Sequence, residues 1–182
     1  MTELWHVHDV IAFDIATVTG WARGRVGGVP SSGTVSFGAK GASHNAIFGN
    51  ALRTFARMLE GEPRPEILVM EALLPAEAVS NAETRNLLAG LQGICRGVAH
   101  MRKIYNIGVV NVGDVRQHFI NYRNAPRDRA KRDTITRCKQ LGWAVADDNA
   151  ADALACWHFA CSLIKPELAL ETSPLFNRRL AG

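Results

Sequence analysis

Short apolar runs separated by turn residues give the first part of this chain the pattern of a β-sheet. Residues 7–14 form an apolar run typical of a buried strand, residues 17–22 lead into a second strand, and residues 32–37 alternate as a third. The Gly27-Gly28-Val29-Pro30 segment marks the turn between the second and third strands. Three strands in succession predict an antiparallel meander.

Helical periodicity dominates the rest of the chain, interrupted by two short strands. The strands are predicted at residues 66–71 and 107–112, and the helices at residues 43–59, 83–103, 114–120, 130–141 and 150–164. Ser43 is predicted to cap the first helix, and Gly142 to end the fourth. Residues 75–83 are either a polar connection or the frayed start of the second helix, and residues 121–129 are predicted to be a polar, basic loop.

Each long helix presents an apolar stripe that is predicted to face the core. These stripes consist of Phe48, Ala51, Leu52, Phe55 and Leu59 in the first helix, Leu87, Leu88, Leu91, Ile94, Cys95 and Val98 in the second, and Ala153, Leu154, Trp157, Cys161 and Ile164 in the last. The element order is therefore β-β-β-α-β-α-β-α-α-α. A meander followed by alternating strands and helices predicts an α/β fold with a mixed five-stranded sheet flanked by helices.

Composition limits the domain organisation and the class of protein. The chain has 182 residues, of which 47% are hydrophobic and 21% charged, as in a globular domain. We expect one domain over residues 1–165 and a peripheral tail over residues 166–182. No apolar stretch reaches the ~18 residues that cross a bilayer, and residues 1–10 lack the pattern of a signal peptide, so a cytoplasmic location is expected. The four cysteines have no Cys-x-x-Cys spacing, which favours free buried thiols.

The charge is unevenly distributed along the chain. The net charge is +4, but residues from Arg102 to Lys139 include ten basic and three acidic residues, a local excess of seven. The remainder is therefore slightly acidic. A basic segment beside acidic residues suits a protein that holds a polyanion against bound metal, while a solvated charged helix face is the alternative.

Three acidic residues far apart in the sequence carry the candidate chemistry. Asp14 and Glu71 each end an apolar run, and Asp152 lies in the first turns of the last predicted helix. A buried carboxylate is costly unless a proton, a cation or hydrogen bonds compensate it. If the two strands are adjacent and parallel, their terminal side chains lie within roughly 5–7 Å and can share one divalent metal site with the helix. Strand-end turns for Asp14 and Glu71, and a helix-dipole role for Asp152, are the alternatives.

A fourth ligand can come from either of two neighbouring residues. Asp148 and Asp152 are four residues apart and share a helix face, and Asn149 and Asp152 are three apart and also share one. Asp148 is the preferred candidate because it carries a charge, with Asn149 as the alternative. Oxygen ligands in this number suit Mg²⁺ or Mn²⁺ and not zinc.

Four stretches together resemble the RuvC family of Holliday-junction resolvases, in the ribonuclease-H-like superfamily, and specifically a divergent phage-type member. The first is Asp14 followed by Thr19-Gly20-Trp21, the second is the strand ending in Glu71, and the third is Arg96-Gly97-Val98-Ala99. The fourth, Asn149-Ala150-Ala151-Asp152-Ala153-Leu154-Ala155, resembles the closing motif of the family. Two departures stand out: Ile15-Ala16 replaces the usual Pro-Gly, which predicts a different turn geometry, and Asn149 replaces a charged ligand.

The resemblance implies a ribonuclease-H-like nuclease domain over residues 1–165 and a Mg²⁺-dependent crossover junction endodeoxyribonuclease active in DNA recombination and repair. Asp14 would bridge two metal ions, and Glu71, Asp148 and Asp152 would complete their coordination. The products would carry 5′-phosphate and 3′-hydroxyl ends. A homodimer is implied as well, because a two-fold symmetric junction needs two symmetric incisions.

The resemblance also implies DNA contacts. Arg116, Lys131 and Arg132 fall where the family has basic residues, so we expect them at the scissile phosphate or its neighbours. Leu73 and Leu74 fall where relatives insert an apolar side chain at the junction, with core packing as an equal alternative.

Two other functions compete with a junction nuclease. An actin-like kinase or ATPase also begins with an Asp before a turn and a Thr-Gly, but it needs a second half with a Gly-rich phosphate loop, which this sequence does not show. A nucleic-acid-binding module without catalysis would have no reason to keep three buried acids.

Overall fold

The computed structural model describes residues 8–61, 63–73 and 81–168. Within these residues the order of elements is the predicted one. The strands are β1 (Asp9–Asp14), β2 (Val18–Arg25), β3 (Ser31–Ser36), β4 (Ile67–Glu71) and β5 (Asn106–Val110). The helices are α1 (His44–Met58), α2 (Ala82–Met101), α3 (Val112–Ile120), α4 (Arg127–Gln140) and α5 (Asp148–Ile164).

The five strands form one mixed sheet in the order β3-β2-β1-β4-β5. The first three strands pair antiparallel, as the predicted meander requires. β4 pairs parallel with β1, and β5 pairs parallel with β4. The central strand β1 therefore has an antiparallel neighbour on one side and a parallel neighbour on the other, and the predicted α/β class is confirmed.

Alternating side chains of β1 bury the two faces of the sheet in two separate cores. Val10 and Ala12 pack under α3, α4 and α5, whereas Ile11 and Phe13 pack under α1 and α2. This period of two explains why β1 reads as a continuous apolar run, since neither face of the strand meets water.

Most predicted helix boundaries and caps agree with the structure, and α4 is the main exception. The Ser43 side chain accepts a hydrogen bond from the Ala46 N–H, and Gly142 follows α4 with φ of 75°. However, α4 begins at Arg127, three residues before the predicted start. Pro126 precedes the first turn with φ of −54°, which is already suited to a helix, while the polar residues 127–129 are exposed and give no apolar periodicity.

Three predicted core positions are wrong or incomplete. In α1, Leu52 is 48% exposed, whereas Ile47, which the predicted stripe did not include, is buried together with Ala51 and Phe55. In α5, Ile164 at the last helical position is exposed. Leu88 in α2 is only partly buried, while Gln92 of the same helix is buried.

The C-terminal boundary of the domain stays a prediction. Leu168 is buried and packs against the core under α5, and residues 169–182 of the predicted tail lie outside the described residues. Of the helices in the described ranges, none combines the length and hydrophobicity needed to cross a bilayer.

Candidate active site

A cavity of about 240 Å³ lies where β1 and β4 end, enclosed by α3, α4 and α5. Its wall is acidic on the side of β1, β4 and α5 and basic on the side of α3 and α4. Its lining includes Asp14, Glu71 and Asp152 together with Arg116, Arg127, Lys131, Thr134 and Asn149. The three acids that the sequence singled out are thus brought together, with cations opposite them.

Two of the acids owe their position to strand pairing. Phe13 is paired with Met70 in the parallel β1–β4 ladder, so the next residues, Asp14 and Glu71, end their strands side by side at the same edge of the sheet. Gln92 of α2 fixes the end of β4, because its buried Nε2 donates to the Glu71 carbonyl oxygen at 2.7 Å.

The Thr19-Gly20 pair explains how the first motif forms the site. The buried Thr19 hydroxyl donates to the Ala16 carbonyl at 2.6 Å, and the same oxygen accepts from the Ala16 N–H at 3.2 Å, which closes the turn after Asp14. Gly20 lets α5 approach the sheet, since a Cβ atom there would lie only 1.9 Å from the Asn149 carbonyl oxygen. The turn therefore closes without Pro-Gly, and the glycine admits the helix that carries Asp152.

The N-terminus of α5 is fixed by Asp147, which the sequence analysis overlooked. One carboxylate oxygen of Asp147 accepts from the Ala150 N–H at 2.8 Å and from the Thr34 hydroxyl of β3 at 2.6 Å. This N-cap joins α5 to the edge strand and sets the rotation of the helix. Asp152 consequently faces the cavity.

Burial and mutual repulsion raise the pKa of all three carboxyl groups. Burial, then the neighbouring Asp14 and Asp152, raise the pKa of Glu71 to about 8. Burial and the charge of Asp14 raise the pKa of Asp152 to about 7. The pKa of Asp14 is raised by burial and by Asp148, against the opposing charges of Lys131 and Arg116. A bound cation would stabilise the ionised form of such carboxyl groups. Raised pKa values of this kind are typical of metal-binding and acid–base sites.

Asp148 and Asn149 occupy different environments. The Asp148 carboxylate forms an ion pair with Lys131 Nζ, and this hydrogen bond holds the pKa of Asp148 below its usual value. Asp148 does not line the cavity, whereas Asn149 and Lys131 do. Asp148, the preferred fourth ligand, is therefore paired with Lys131, whereas Asn149, the alternative, lines the cavity.

The predicted DNA-binding residues divide into two groups. Arg116 and Lys131 line the cavity, and Arg116 Nη1 also donates to the Ala125 carbonyl at 3.4 Å. Arg132 is exposed and does not line the cavity. Leu73 is 36% exposed just after β4, and Leu74 lies outside the described residues.

The donor set fits a hard divalent cation. The cavity offers carboxylate oxygens and the Asn149 side chain, which are the ligand types of Mg²⁺ and Mn²⁺. Within the described parts of the chain, no three Asp, Glu, His or Cys side chains are close enough together to hold a metal ion as they stand. Coordination by all three acids therefore requires their side chains to move closer to one another.

Two cavity residues were missed by the sequence analysis. Arg127 was assigned to a loop and Thr134 to the interior of a helix, yet both face the carboxylates across the cavity. The basic excess after Arg102 was a signal for Arg127. Nothing in the local pattern distinguishes Thr134 from an ordinary helix residue.

The fold is similar to that of solved Holliday-junction resolvases. RuvC of Thermus thermophilus matches with a TM-score of 0.66 and 17% identity, covering 86% of this chain and 95% of that one. The same protein in complex with Holliday junction substrate matches with a TM-score of 0.66 and 16% identity over the same shares. The yeast mitochondrial Holliday junction resolvase Ydc2 matches with a TM-score of 0.55 and 10% identity, covering 94% of this chain and 87% of that one. The sequence matches no protein-family model and no curated protein. The chain thus has the RuvC-like, ribonuclease-H-like fold that its motifs predicted.

Proposed function

We propose that this protein is a metal-dependent endonuclease that hydrolyses phosphodiesters in branched DNA, with the four-way junction as its main substrate. The observation that carries the proposal is the cavity in which Asp14, Glu71 and Asp152 face Arg116, Arg127 and Lys131. Acids that repel one another attract a cation, and the opposing bases attract a phosphate. The fold likeness to resolvases, one of them solved with a junction, supports branched DNA as the substrate.

The carboxylates are proposed to hold Mg²⁺, with Mn²⁺ as a substitute. Asp14, Glu71 and Asp152 form the core of the set, and Asp148, or alternatively Asn149, supplies the fourth oxygen. The chemistry that such an ion supplies when bound is the activation of water and the stabilisation of charge on the leaving oxygen of a phosphodiester. Burial places the three acids in surroundings of lower dielectric constant than water, where their attraction to a bound cation is stronger.

The basic residues are proposed to position the phosphate. Arg116 is anchored to the Ala125 carbonyl, and Lys131 is oriented by Asp148, so both cations are held at the wall of the cavity. A positioned guanidinium or ammonium fixes the backbone of the DNA without reading its sequence. The exposed Arg132 extends this basic surface outside the cavity.

We further propose that the protein acts as a homodimer, with residues 1–165 as its nuclease domain and the cytoplasm as its location. Two symmetric cuts in a two-fold symmetric junction need two symmetric active sites. Light scattering at the concentration that cuts junctions should give the mass of two chains. A mass of one chain under those conditions would remove the dimer from the proposal.

The decisive experiment compares the wild type with Asp14→Asn on a synthetic four-way junction in Mg²⁺. We expect the variant to cut more than about a hundredfold more slowly, since changes outside the ligand set of a metal already cost 10–100-fold. The variant should stay folded, because asparagine removes a buried charge. Asp128→Asn, an exposed acid in the first turn of α4, is the matched control and should keep full activity.

Other outcomes would favour the competing functions. Equal cutting by the wild type and Asp14→Asn would exclude the proposed metal site. ATP turnover without DNA cutting would favour the actin-like enzyme, and junction binding without cutting in Mg²⁺ or Mn²⁺ would favour the binding module. A parallel assay on forks and linear duplex tests whether the branch point is recognised.

A further inference from the structure

An exposed aromatic side chain lies beside the candidate active site, on the connection between α3 and α4. Tyr122 follows Asn121, which ends α3 in the left-handed conformation with φ of 54°. Tyr122 is 37% exposed as a residue, and the guanidinium carbon of Arg129 lies 4.8 Å from the centroid of its ring. Arg129 is also held by Asp133, to which its Nε donates at 3.2 Å. A tyrosine ring and an oriented guanidinium are thus presented together at the surface.

This connection is attached to the wall of the cavity at several points. Arg116, which lines the cavity, donates to the Ala125 carbonyl, and Arg123 forms an ion pair with Asp114 of α3. The Gln117 side chain donates to Asn121 Oδ1 at 2.8 Å and accepts from the Arg123 N–H at 3.2 Å. The Tyr122 N–H also donates to the carbonyl oxygen of Arg116 at 3.5 Å, so Tyr122 lies directly beside a residue that lines the cavity.

We propose that Tyr122 and Arg129 form a stacking site for an unpaired nucleobase of the bound DNA. Aromatic rings and guanidinium groups stack on bases of any identity. The phosphate-binding cations of the cavity cannot tell paired from unpaired DNA. A stacking site next to them adds that distinction, because only a base released from the double helix can reach the ring.

This inference rests on the proposed function and deepens it, since it names the feature of the substrate that is recognised. The competing explanation is that Arg129 merely covers Tyr122 to stabilise the connection. The two explanations differ in what Tyr122 does for DNA with and without an unpaired base. Tyr105, the other tyrosine of the chain, provides a matched control, because it is 67% exposed and precedes β5 at the opposite edge of the sheet.

The test measures binding by the Asp14→Asn protein, which by the proposed function does not cut its substrate. Four-way junctions with one unpaired base at the branch point are compared with a fully paired linear duplex. We expect Tyr122→Ala to weaken binding of the junction on the order of tenfold and to leave the duplex nearly unchanged. Tyr122→Phe keeps the ring and should bind like the parent, and Tyr105→Ala should have no effect on either DNA.

A second readout locates the base directly. With 5-iodouracil at the unpaired position, irradiation should join the DNA to the peptide that contains Tyr122, and Tyr122→Ala should abolish this product. Thermal melting identifies any variant that fails to fold. If Tyr122→Ala does not fold, the crosslink is compared between the parent and Tyr122→Phe, which should both give it. Equal loss on the junction and the duplex, or a crosslink elsewhere on the chain, overturns the stacking site alone. Failure of the parent to bind any DNA overturns both the stacking site and the proposed function.

Discussion

Burial destabilises the anionic forms of Asp14, Glu71 and Asp152, whereas the positive charge of Arg116 stabilises all three. The arrangement is electrostatically unbalanced without a bound cation, since repulsion among the acids and burial both outweigh the nearby bases. Isolated structural acids are normally paired one to one with a base. A shared cavity is the arrangement expected of a site that binds a cation.

Substitutions of Asp148 and Asn149 are expected to change metal affinity by different amounts. We expect Asp148→Asn to weaken divalent-metal binding about tenfold, a loss in the range measured when groups around a bound metal are changed. The reason is charge, since Asp148 acts electrostatically on Asp14 whereas Asn149 is neutral. Asn149→Ala should have a smaller effect. Titration calorimetry with Mn²⁺ measures both variants.

The reverse order of effects would assign the fourth position to Asn149. In that case Asp148 would act only on Lys131, and Lys131→Gln would reproduce the activity loss of Asp148→Asn without weakening metal binding. Comparing the three variants therefore separates a ligand from a residue that orients a lysine.

At the scale of elements, α5 decides whether the site exists. It contacts the central sheet through Trp157, whose indole N–H donates to the Val10 carbonyl at 3.1 Å and to the Gly24 carbonyl at 3.3 Å. Together with the Asp147 cap and the close approach at Gly20, these bonds fix the height and rotation of the helix. Asp152 lies near the strand-end acids because these three contacts place α5 in one position against the sheet.

A histidine pair between α3 and α5, in which His158 is buried and His118 half-buried, makes the fold sensitive to acid. His118 Nε2 and His158 Nδ1 lie 2.8 Å apart, stacked next to Phe119 and Trp143. Burial, then His118 and Arg137, lower the pKa of His158 to about 3, and burial and Arg137 lower that of His118. Between the ordinary value near 6.5 and about 3, the unfolded chain binds more protons than the folded one. Stability from the pair is therefore present above pH 6.5 and is lost as the pH falls.

We expect His158→Asn to reduce this loss, because it keeps a polar atom near the position of Nδ1 without a charge to bury. Each proton is worth at most about 1.4 kcal/mol per pH unit, or roughly 3–5 °C in melting temperature for a chain of this size. Melting curves from pH 7 to pH 4 measure the difference between wild type and variant. His100→Gln, an exposed position on α2, is the control. Parallel pH profiles for wild type and His158→Asn would contradict the assignment.

At the scale of the whole molecule, three of the ten basic residues between Arg102 and Lys139 line one side of the cavity. α3 and α4 carry Arg116, Arg127 and Lys131 into it, and the acids come from the rest of the chain. The uneven charge along the sequence thus gives the cavity one basic side and one acidic side. A polyanion can dock on the basic side with one phosphate facing the acids.

This arrangement predicts the salt dependence of DNA binding. Arg116→Gln, Lys131→Gln and Arg132→Gln should each lower the slope of log affinity against log salt by about one, because each removes one phosphate contact. Lys103→Gln is the control, since Lys103 belongs to the same basic segment but lies before β5 at the opposite edge of the sheet. Fluorescence anisotropy with labelled junctions at several salt concentrations measures the slopes. An unchanged slope for Arg132→Gln would limit the contact to the cavity.

Much of this protein could be predicted from the sequence, because its strongest signals are local. Apolar runs that end in an acid identified β1 and β4 with Asp14 and Glu71, and three-four periodicity identified α2 and α5. Errors occurred where the signal is weak: α4 begins in a polar turn, and Ile47 and Leu52 of α1 are both apolar, so periodicity alone does not show which of them is buried.

The sequence by itself determined the order of elements, the class of fold and the identity of the three acids, since periodicity and residue type are written along the chain. Only the tertiary structure decided that Asp148 pairs with Lys131, that Arg127 and Thr134 face the carboxylates, and that Tyr122 meets Arg129. These contacts depend on the rotation of α4 and α5 against the sheet. Rotation is set by packing at distant residues such as Gly20 and Trp157, and local patterns do not record it.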